Sequence, residues 1–438
     1  MTRAYYPSSL GKRTELASET GHVATHRGGR RMTAAWPVVI FALALAVRVV
    51  WALLAGRLDP FLRLNRLHGD AAAYDRIARN LLAGQGFAEF AGRATAFWPP
   101  LYPAFLAGLY SLLGHNLLLA RLLQAVLGAA TVLAAAKAFE GALGRRTAAL
   151  AGLGMACYPY LVYFGTWLIA EALYLLLLCL SLLVATRMQA RPTLRGYATL
   201  GLLLGLGALT KPAGLMLVPL LLVWVWVAPP ARTGRVKLLQ GALLLAVCVA
   251  TLAPWTVRNY LVFRSFVPVS TNGGYTFYGA NNAEAFGGHR EGFPPHLPGL
   301  SEPEAEQEYY RLGTDWIRSD PVAFVRLAAR KVQRLFSPLS VASWEQDYPL
   351  PWSGYVRAIY ASFLVLSLLG LVVSLRRWRE VFVFYAPILR VVIGALVFYG
   401  DVRYTLPMVP SLAAFAALGL TVLCSPFGRA TLHGRSQW

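Results

Sequence analysis

Leu67-His68-Gly69-Asp70-Ala71-Ala72-Ala73-Tyr74-Asp75-Arg76-Ile77-Ala78-Arg79-Asn80 follows the first long apolar run of the chain. Asp70 stands where a helix N-cap belongs, Tyr74, Ile77 and Leu81 recur behind it at helical spacing, and Gly84-Gln85-Gly86 supplies the stop. The stretch predicts a short amphipathic helix headed by a carboxylate. Capping alone accounts for an isolated aspartate; the setting gives this one a second role to weigh.

That setting is a bilayer. Of the 438 residues, 57% are hydrophobic and only 14% charged, against about 25% charged in an ordinary soluble chain. The formal net charge of +21 is carried by short clusters between apolar runs, so membrane topology and anionic headgroups explain it without nucleic acid as a partner. Cys157, Cys179, Cys248 and Cys424 all fall inside apolar runs without metal-ligand spacing and read as small packing residues. No cleavage site with suitable flanks follows the first apolar run, which reads as a retained anchor.

Residues 1–35 are polar and basic, without apolar periodicity, and predict a disordered cytoplasmic tail that orients the first span from inside to outside. That span covers about 36–56 and contains Arg48, which either snorkels or faces the protein interior. Residues 57–116 form a first outer loop. It holds the Asp70 helix, then Trp98-Pro99-Pro100-Leu101-Tyr102-Pro103 and an apolar piece too short for the roughly 20 residues of a crossing, hence interfacial or re-entrant.

Further spans at about 117–139, 147–164, 168–187, 196–210, 213–228, 238–255, 355–375, 381–399 and 404–424 bring the total to about ten. On this scheme Arg145-Arg146, Arg187/Arg191/Arg195, Arg232/Arg235/Lys237, Arg376-Arg377/Arg379 and Arg429/Arg435 all fall on the cytoplasmic side, as the positive-inside rule requires. The chain thus divides into the tail 1–35, an N-terminal transmembrane module 36–255, a large outer loop 256–354, C-terminal spans 355–424 and a cytoplasmic tail 425–438. In the large loop Ser301 and Glu304 have capping-box spacing, and Asp320-Pro321 starts a helix with Arg326, Arg330, Lys331 and Arg334 on one face. Val322, Val325, Ala329, Val332 and Phe336 make its apolar side. It reads as a helix lying on the outer membrane surface. Arg390, inside the ninth span, is a functional candidate because an intramembrane arginine is costly.

Asp70, Glu171, Lys211, Arg258, Lys331 and Arg403 map to the outer ends of spans or to outer loops. Each has a plainer reading: Glu171 favours the helix N-terminus it enters, and Lys211 anchors at the interface. Together they suit transfer of a glycosyl group from a lipid phosphate. A carboxylate takes the proton of the acceptor hydroxyl as that oxygen attacks the anomeric carbon, and cations stabilise the departing phosphate. One base and one cationic cradle suffice for inversion, whereas retention needs a second, nucleophilic group.

Asp70, Tyr74, Ala78, Leu81-Leu82 and Gly84, then Pro99-Pro100-Leu101-Tyr102-Pro103, Arg145-Arg146, Glu171-Ala172-Leu173, Thr210-Lys211-Pro212, Pro254-Trp255-Thr256-Val257-Arg258-Asn259-Tyr260 and Arg403-Tyr404-Thr405-Leu406-Pro407 occur in that order. In order and spacing they resemble the bacterial branch of the dolichyl-phosphate-mannose protein mannosyltransferase superfamily. These are GT-C fold, family 39-like glycosyltransferases, related to the aminoarabinose transferases of lipid A. The resemblance implies an all-α polytopic enzyme of the bacterial inner membrane with outer juxtamembrane helices and one large periplasmic loop, its N-terminus cytoplasmic. It implies a polyprenyl-phosphate-linked sugar donor and an acceptor glycan, lipid or protein at the periplasmic face. By the same resemblance Asp70 is the essential first-loop aspartate and Glu171 the second acidic position. Arg403, Arg258, Lys331 and Lys211 are the donor-phosphate candidates with Tyr404 beside them, and His68, Tyr74 and Tyr102 line the substrate cavity. Many relatives carry a second acid after the first, where this chain has Ala71. A first-loop metal site is therefore not expected, Asp75 being the one further carboxylate a divalent ion would draw on.

The rival readings are a transporter or flippase for a lipid-linked substrate, and an oligosaccharide polymerase. The first calls for paired half-chain repeats and broken helices near the midplane, a pattern the sequence does not display. The second shares the donor and differs in what is transferred.

Overall fold

The computed structural model describes residues 27–58, 62–63, 67–90, 92–228, 233–290, 292–337 and 353–424. Residues 1–36 and 37–438 form separate units, and the second carries the membrane fold and its cavity. Of the tails expected at 1–35 and 425–438, residues 1–26 and 425–438, with Arg429 and Arg435, lie outside the described residues, as does Arg232, while residues 27–35 are helical rather than disordered.

Apolar run length decides the architecture. Among the described residues, six stretches are long and apolar enough to cross a membrane: Ala35–Leu58, Leu117–Leu143, Glu171–Ala190, Gly234–Phe263, Gly354–Val397 and Val402–Leu423. In chain order the helices are α1 (Arg27–Leu58), α2 (Gly69–Leu82), α3 (Leu101–Leu113), α4 (Leu117–Leu143), α5 (Arg145–Cys157), α6 (Pro159–Phe164), α7 (Glu171–Ala190) and α8 (Leu194–Thr210). After a 3-10 turn at Pro212–Met216 come α9 (Leu217–Val227), α10 (Gly234–Phe263), α11 (Asn272–Ala280), α12 (Glu302–Ser319) and α13 (Pro321–Phe336). The chain closes with α14 (Ser353–Ser374), α15 (Trp378–Val397), the short α16 (Val402–Thr405) and α17 (Val409–Leu423). A two-stranded antiparallel hairpin, β1 (Ala88–Phe90) and β2 (Arg93–Ala94), follows α2. Leu238, Leu239, Leu245 and Val249 on α10 and Val365, Leu368 and Val372 on α14 are exposed, an apolar surface suited to lipid.

Small residues let helices meet backbone to backbone. A Cβ on Gly370 of α14 would lie 1.8 Å from the carbonyl oxygen of Phe415 on α17, and one on Gly419 of α17 would lie 2.4 Å from that of Leu366. Only glycine fits either place, as at close helix crossings in membranes.

Several expectations shift in detail. The span expected at 147–164 is broken into α5 and α6, because Pro159 has no N–H and Tyr158 before it is extended (ψ 118). α10 runs past residue 255 to Phe263 with Pro254 inside it. The cap of α2 is His68, and Asp70 is its second residue, with no side-chain capping bond. The short apolar α3 has 13 residues, about 20 Å at 1.5 Å per residue, which is too short to cross. On α12 the capping box of Ser301 and Glu304 is present, and Asp320 caps α13 by accepting from Ala323 N–H at 2.8 Å. The face α13 buries is Leu327, Ala328, Lys331 and Leu335, while Val322 and Val325 are exposed. A surface helix meets protein, lipid and water at once, so its apolar side need not be the side that faces protein.

Candidate active site

Asp70, Glu171 and Arg403 are brought together from three distant parts of the chain. Arg403, in α16, donates from Nη2 to Oδ2 of Asp70 at 2.5 Å and from Nε to Oε1 of Glu171 at 2.6 Å. Lys211, between α8 and the 3-10 turn, donates to the same Oε1 at 2.6 Å, and its ammonium lies 5.4 Å from the ring centre of Tyr404. Glu171 opens α7, where the unpaired backbone N–H groups favour an anion, and is 1% exposed.

These residues line a cavity of about 550 Å³ that also takes in Tyr74, Trp98, Ser270, Tyr275, His289, Glu306, Tyr310, Arg390, Tyr399 and Tyr404. The volume is that of a site for a small molecule or a ligand headgroup. Arg390, on α15, donates from Nε to the carbonyl of Ala213 at 3.1 Å and packs its guanidinium 5.6 Å from the ring of Tyr174. Among the described residues it has no ion-pair partner, whereas Arg403 and Lys211 are both paired to carboxylates. The Tyr74 phenol is held well above its ordinary pKa, first by burial and then by the Asp70 and Glu171 carboxylates, so it faces the cavity as a hydrogen-bond donor.

The turn that delivers Glu171 is held from the first loop. Tyr102 donates to Oε1 of Gln124, and Gln124 donates from Nε2 to the carbonyls of Gly165 at 3.0 Å and Trp167 at 2.6 Å. Tyr102 therefore sits behind the cavity wall as a positioning residue, which corrects its expected place in the lining.

Three further expectations are corrected. Arg258 donates to the carbonyls of Thr95 at 2.8 Å and Phe87 at 3.2 Å and lies 4.7 Å over the ring of Trp255, so it fastens the hairpin region to α10 and does not line the cavity. Lys331 is fully buried and donates to Oδ1 of Asn281 at 2.8 Å, away from the cavity. Burial pushes its ammonium down to about 7. Asn281 in turn donates to the carbonyls of Phe277 and Val397, so the lysine ties α13 to α11 and the end of α15. His68 caps α2 and is not part of the lining.

Asp75, the further carboxylate weighed for a divalent ion, is engaged by neighbouring side chains. Asp75 accepts from Tyr110 Oη at 3.0 Å and Arg79 Nε at 3.0 Å and meets His115 Nε2 at 2.7 Å. Among the described residues no three of His, Cys, Asp and Glu converge as ligands.

Of the lining residues, Glu306 and His289 had no signal in the sequence: each stands in a polar outer segment like its neighbours. Arg390 had one, as a charge inside a span, but nothing in the sequence aimed it at this cavity.

Residues 98–257 match the protein family described as dolichyl-phosphate-mannose-protein mannosyltransferase. No curated protein matches the chain. Among solved structures, the apo oligosaccharyltransferase of Archaeoglobus fulgidus aligns over 90% of this chain and 51% of its own, with TM-score 0.56 and 15% identity. The oligosaccharyltransferase AglB of A. fulgidus, in complex with an inhibitory peptide and a dolichol-phosphate, aligns over 90% and 51%, with TM-score 0.52 and 14% identity. ArnT from Cupriavidus metallidurans bound to undecaprenyl phosphate aligns over 88% and 78%, with TM-score 0.44 and 18% identity. The chain spans about half the length of the archaeal structures, and at these identities the likeness is one of fold. The protein is an all-α membrane chain of GT-C fold, with the mannosyltransferase family match confined to residues 98–257.

Proposed function

We propose that the protein is an inverting glycosyltransferase that moves a sugar from a polyprenyl-phosphate donor to an acceptor hydroxyl at the outer, periplasmic face of a bacterial inner membrane. The observation that carries this is the cavity in which Asp70 stands beside Arg403 and Lys211, with Arg390 also in the wall. A phosphate on a lipid tail finds charge-assisted donors there.

In the proposed reaction Asp70 takes the proton from the acceptor hydroxyl as its oxygen bonds to the anomeric carbon. The bond from that carbon to the phosphate oxygen breaks, and the pair of electrons leaves with the polyprenyl phosphate. Arg390 and Lys211 stabilise the negative charge that grows on the leaving oxygen. Arg403 and Glu171 hold Asp70 in place. Attack opposite the leaving group inverts the anomeric centre, since Asp70 acts as a base on the acceptor and not as a nucleophile on the sugar.

The outer-face placement has its own support. Arg187 is near the far end of α7 from Glu171, Arg195 near the far end of α8 from Lys211, Arg235 at the start of α10, and Arg379 near the far end of α15 from the cavity. Basic clusters at that end accord with the cytoplasmic side, which supports an outer position for the cavity.

The test uses the full chain in nanodiscs with a panel of undecaprenyl-phosphate sugars, following release of undecaprenyl phosphate and formation of a new glycosidic bond. Movement of labelled lipid-linked sugar across sealed vesicles without any new bond would overturn the enzymatic reading in favour of a transporter.

A further inference from the structure

Glu306 stands apart from the acids of the proposed transfer. It lines the cavity from α12, next to Tyr310 of the same helix and Tyr275 of α11. Asp70 and Glu171 are both joined to Arg403, whereas Glu306 has no ion-pair partner among the described residues. Its position is fixed by close packing. A Cβ on Gly273 would lie 2.3 Å from the Tyr310 hydroxyl and 3.1 Å from Oε1 of Glu306, and one on Gly274 would lie 2.1 Å from the Glu306 carbonyl oxygen. Two glycines at the start of α11 thus let the helices touch and leave the carboxyl a defined place.

Burial raises that carboxyl to about 7, the N–H groups of Gly273 and Gly274 oppose the rise, and Glu302 adds to it. Gly273 and Gly274 belong to α11 and Glu302 to α12. The cavity thus carries Arg403 and Lys211, where an anionic leaving group is welcome, and on α12 a carboxyl without an ion-pair partner among the described residues, with Tyr275 and Tyr310 also in the wall. A phosphate close to Glu306 would meet like charge. A sugar ring brings hydroxyl or ammonium donors for the carboxyl and an apolar face for the aromatic rings.

We propose that Glu306 is a specificity-determining residue of an acceptor subsite, where it accepts hydrogen bonds from a hydroxyl- or ammonium-bearing sugar and disfavours an anionic one. This rests on the glycosyltransferase reading for the word acceptor, but the sugar preference can be read without it. Glu306→Gln keeps a carbonyl oxygen for the Gly273 and Gly274 N–H groups, so a purely structural role survives the change while the charge is lost.

The experiment follows intrinsic tryptophan fluorescence of the full chain in nanodiscs at pH 8, Trp98 being part of the lining. Methyl glucoside, methyl glucosaminide and methyl glucuronide are titrated with and without undecaprenyl phosphate. Wild type is expected to bind the glucuronide about tenfold more weakly than the other two, the worth of one charge-assisted hydrogen bond turned into a repulsion. In E306Q the three are expected to converge to within about threefold, with the affinity for undecaprenyl phosphate unchanged. Retention of the wild-type order in E306Q, or a glucuronide bound by wild type as well as the glucoside, overturns the proposal. Faster or slower hydrolysis of a sugar-phosphate donor by E306Q in the absence of acceptor assigns the subsite to the donor sugar and overturns the acceptor assignment. Absence of undecaprenyl phosphate binding, with the sugar order as expected, sinks the proposed function and leaves the Glu306 preference standing.

Discussion

Asp70→Asn separates chemistry from architecture because the two effects differ widely in size. The Asp70–Arg403 contact joins side chains that are 31% and 27% exposed, and Glu171 keeps both of its own cationic partners when Asp70 is neutralised. A partly exposed ion pair is worth about 1 kcal/mol or less, and asparagine preserves an oxygen for the Arg403 Nη2 donor. The unfolding midpoint should fall by a few degrees at most. As the base in the proposed transfer, however, Asp70 carries a factor of roughly 10² to 10⁴ in rate, which is about 2.7 to 5.4 kcal/mol of barrier at 1.36 kcal/mol per decade.

The assay is release of undecaprenyl phosphate from its sugar-linked form in nanodiscs, with the glycosylated product identified by mass spectrometry and the midpoint measured on the same sample. D70N should bind undecaprenyl phosphate like wild type and lose at least a hundredfold in turnover. Turnover within about threefold of wild type, at an unchanged midpoint, would falsify the role of Asp70 as base. A loss of turnover that merely tracks a loss of folded protein would show a brace and not a base.

Arg390→Gln should raise the donor KM roughly tenfold or more, the worth of a hydrogen bond to a charged group, with a small change in midpoint because its neighbour contacts are one carbonyl and one ring. Titration of undecaprenyl phosphate against the variant checks it. Tyr102→Phe strips Gln124 of its donor, so about 1 to 3 kcal/mol of stability should go. Its turnover should drop while the donor KM holds, which steady-state kinetics separates. Lys331→Met tests the buried ammonium. With a folded pKa of about 7 against an ordinary 10.5, the unfolded chain binds more protons between those values. Wild-type stability therefore rises with pH across that window, and the full penalty sits below pH 7. The methionine variant should have the higher midpoint at pH 6.5 and the lower one at pH 10, where only the orphaned Asn281 oxygen counts; parallel midpoints at the two pH values would contradict it.

How far the sequence leads depends on the kind of question put to it. Run length and the scarcity of charge made the helices and the bilayer legible, and of the residues that side-of-membrane logic grouped, Asp70, Glu171, Lys211 and Arg403 meet through hydrogen bonds. Sidedness does not give direction. Arg258 is at the same end of its helix as the site, yet the carbonyls of Thr95 and Phe87 take its donors. Lys331 shares a face with arginines in the sequence, but α13 turns that position inward onto Asn281. Glu306 is one of several acids on α12, alongside Glu302, Glu304 and Glu308. It is singled out only by Gly273 and Gly274 across the gap, a relation that exists in space and not in the order of residues.

The family match itself covers part of the site. Residues 98–257 contain Glu171 and Lys211 but not Asp70, Glu306, Arg390 or Arg403. What closes the site is Arg403, 333 residues from Asp70 and 232 from Glu171. Glu171 is buried, and with Lys211 alone it would have one cation where it now has two. Taking a partner from a buried ion pair costs about 3 to 5 kcal/mol, so the carboxylate in the matched segment is held fully only once the C-terminal helices have docked. The same arginine then sets Asp70 against the cavity. A chain that failed to place α16 would thus lose the stability of the acidic pair and the geometry of the proposed base together, which is why the two ends of the sequence cannot be read as independent modules.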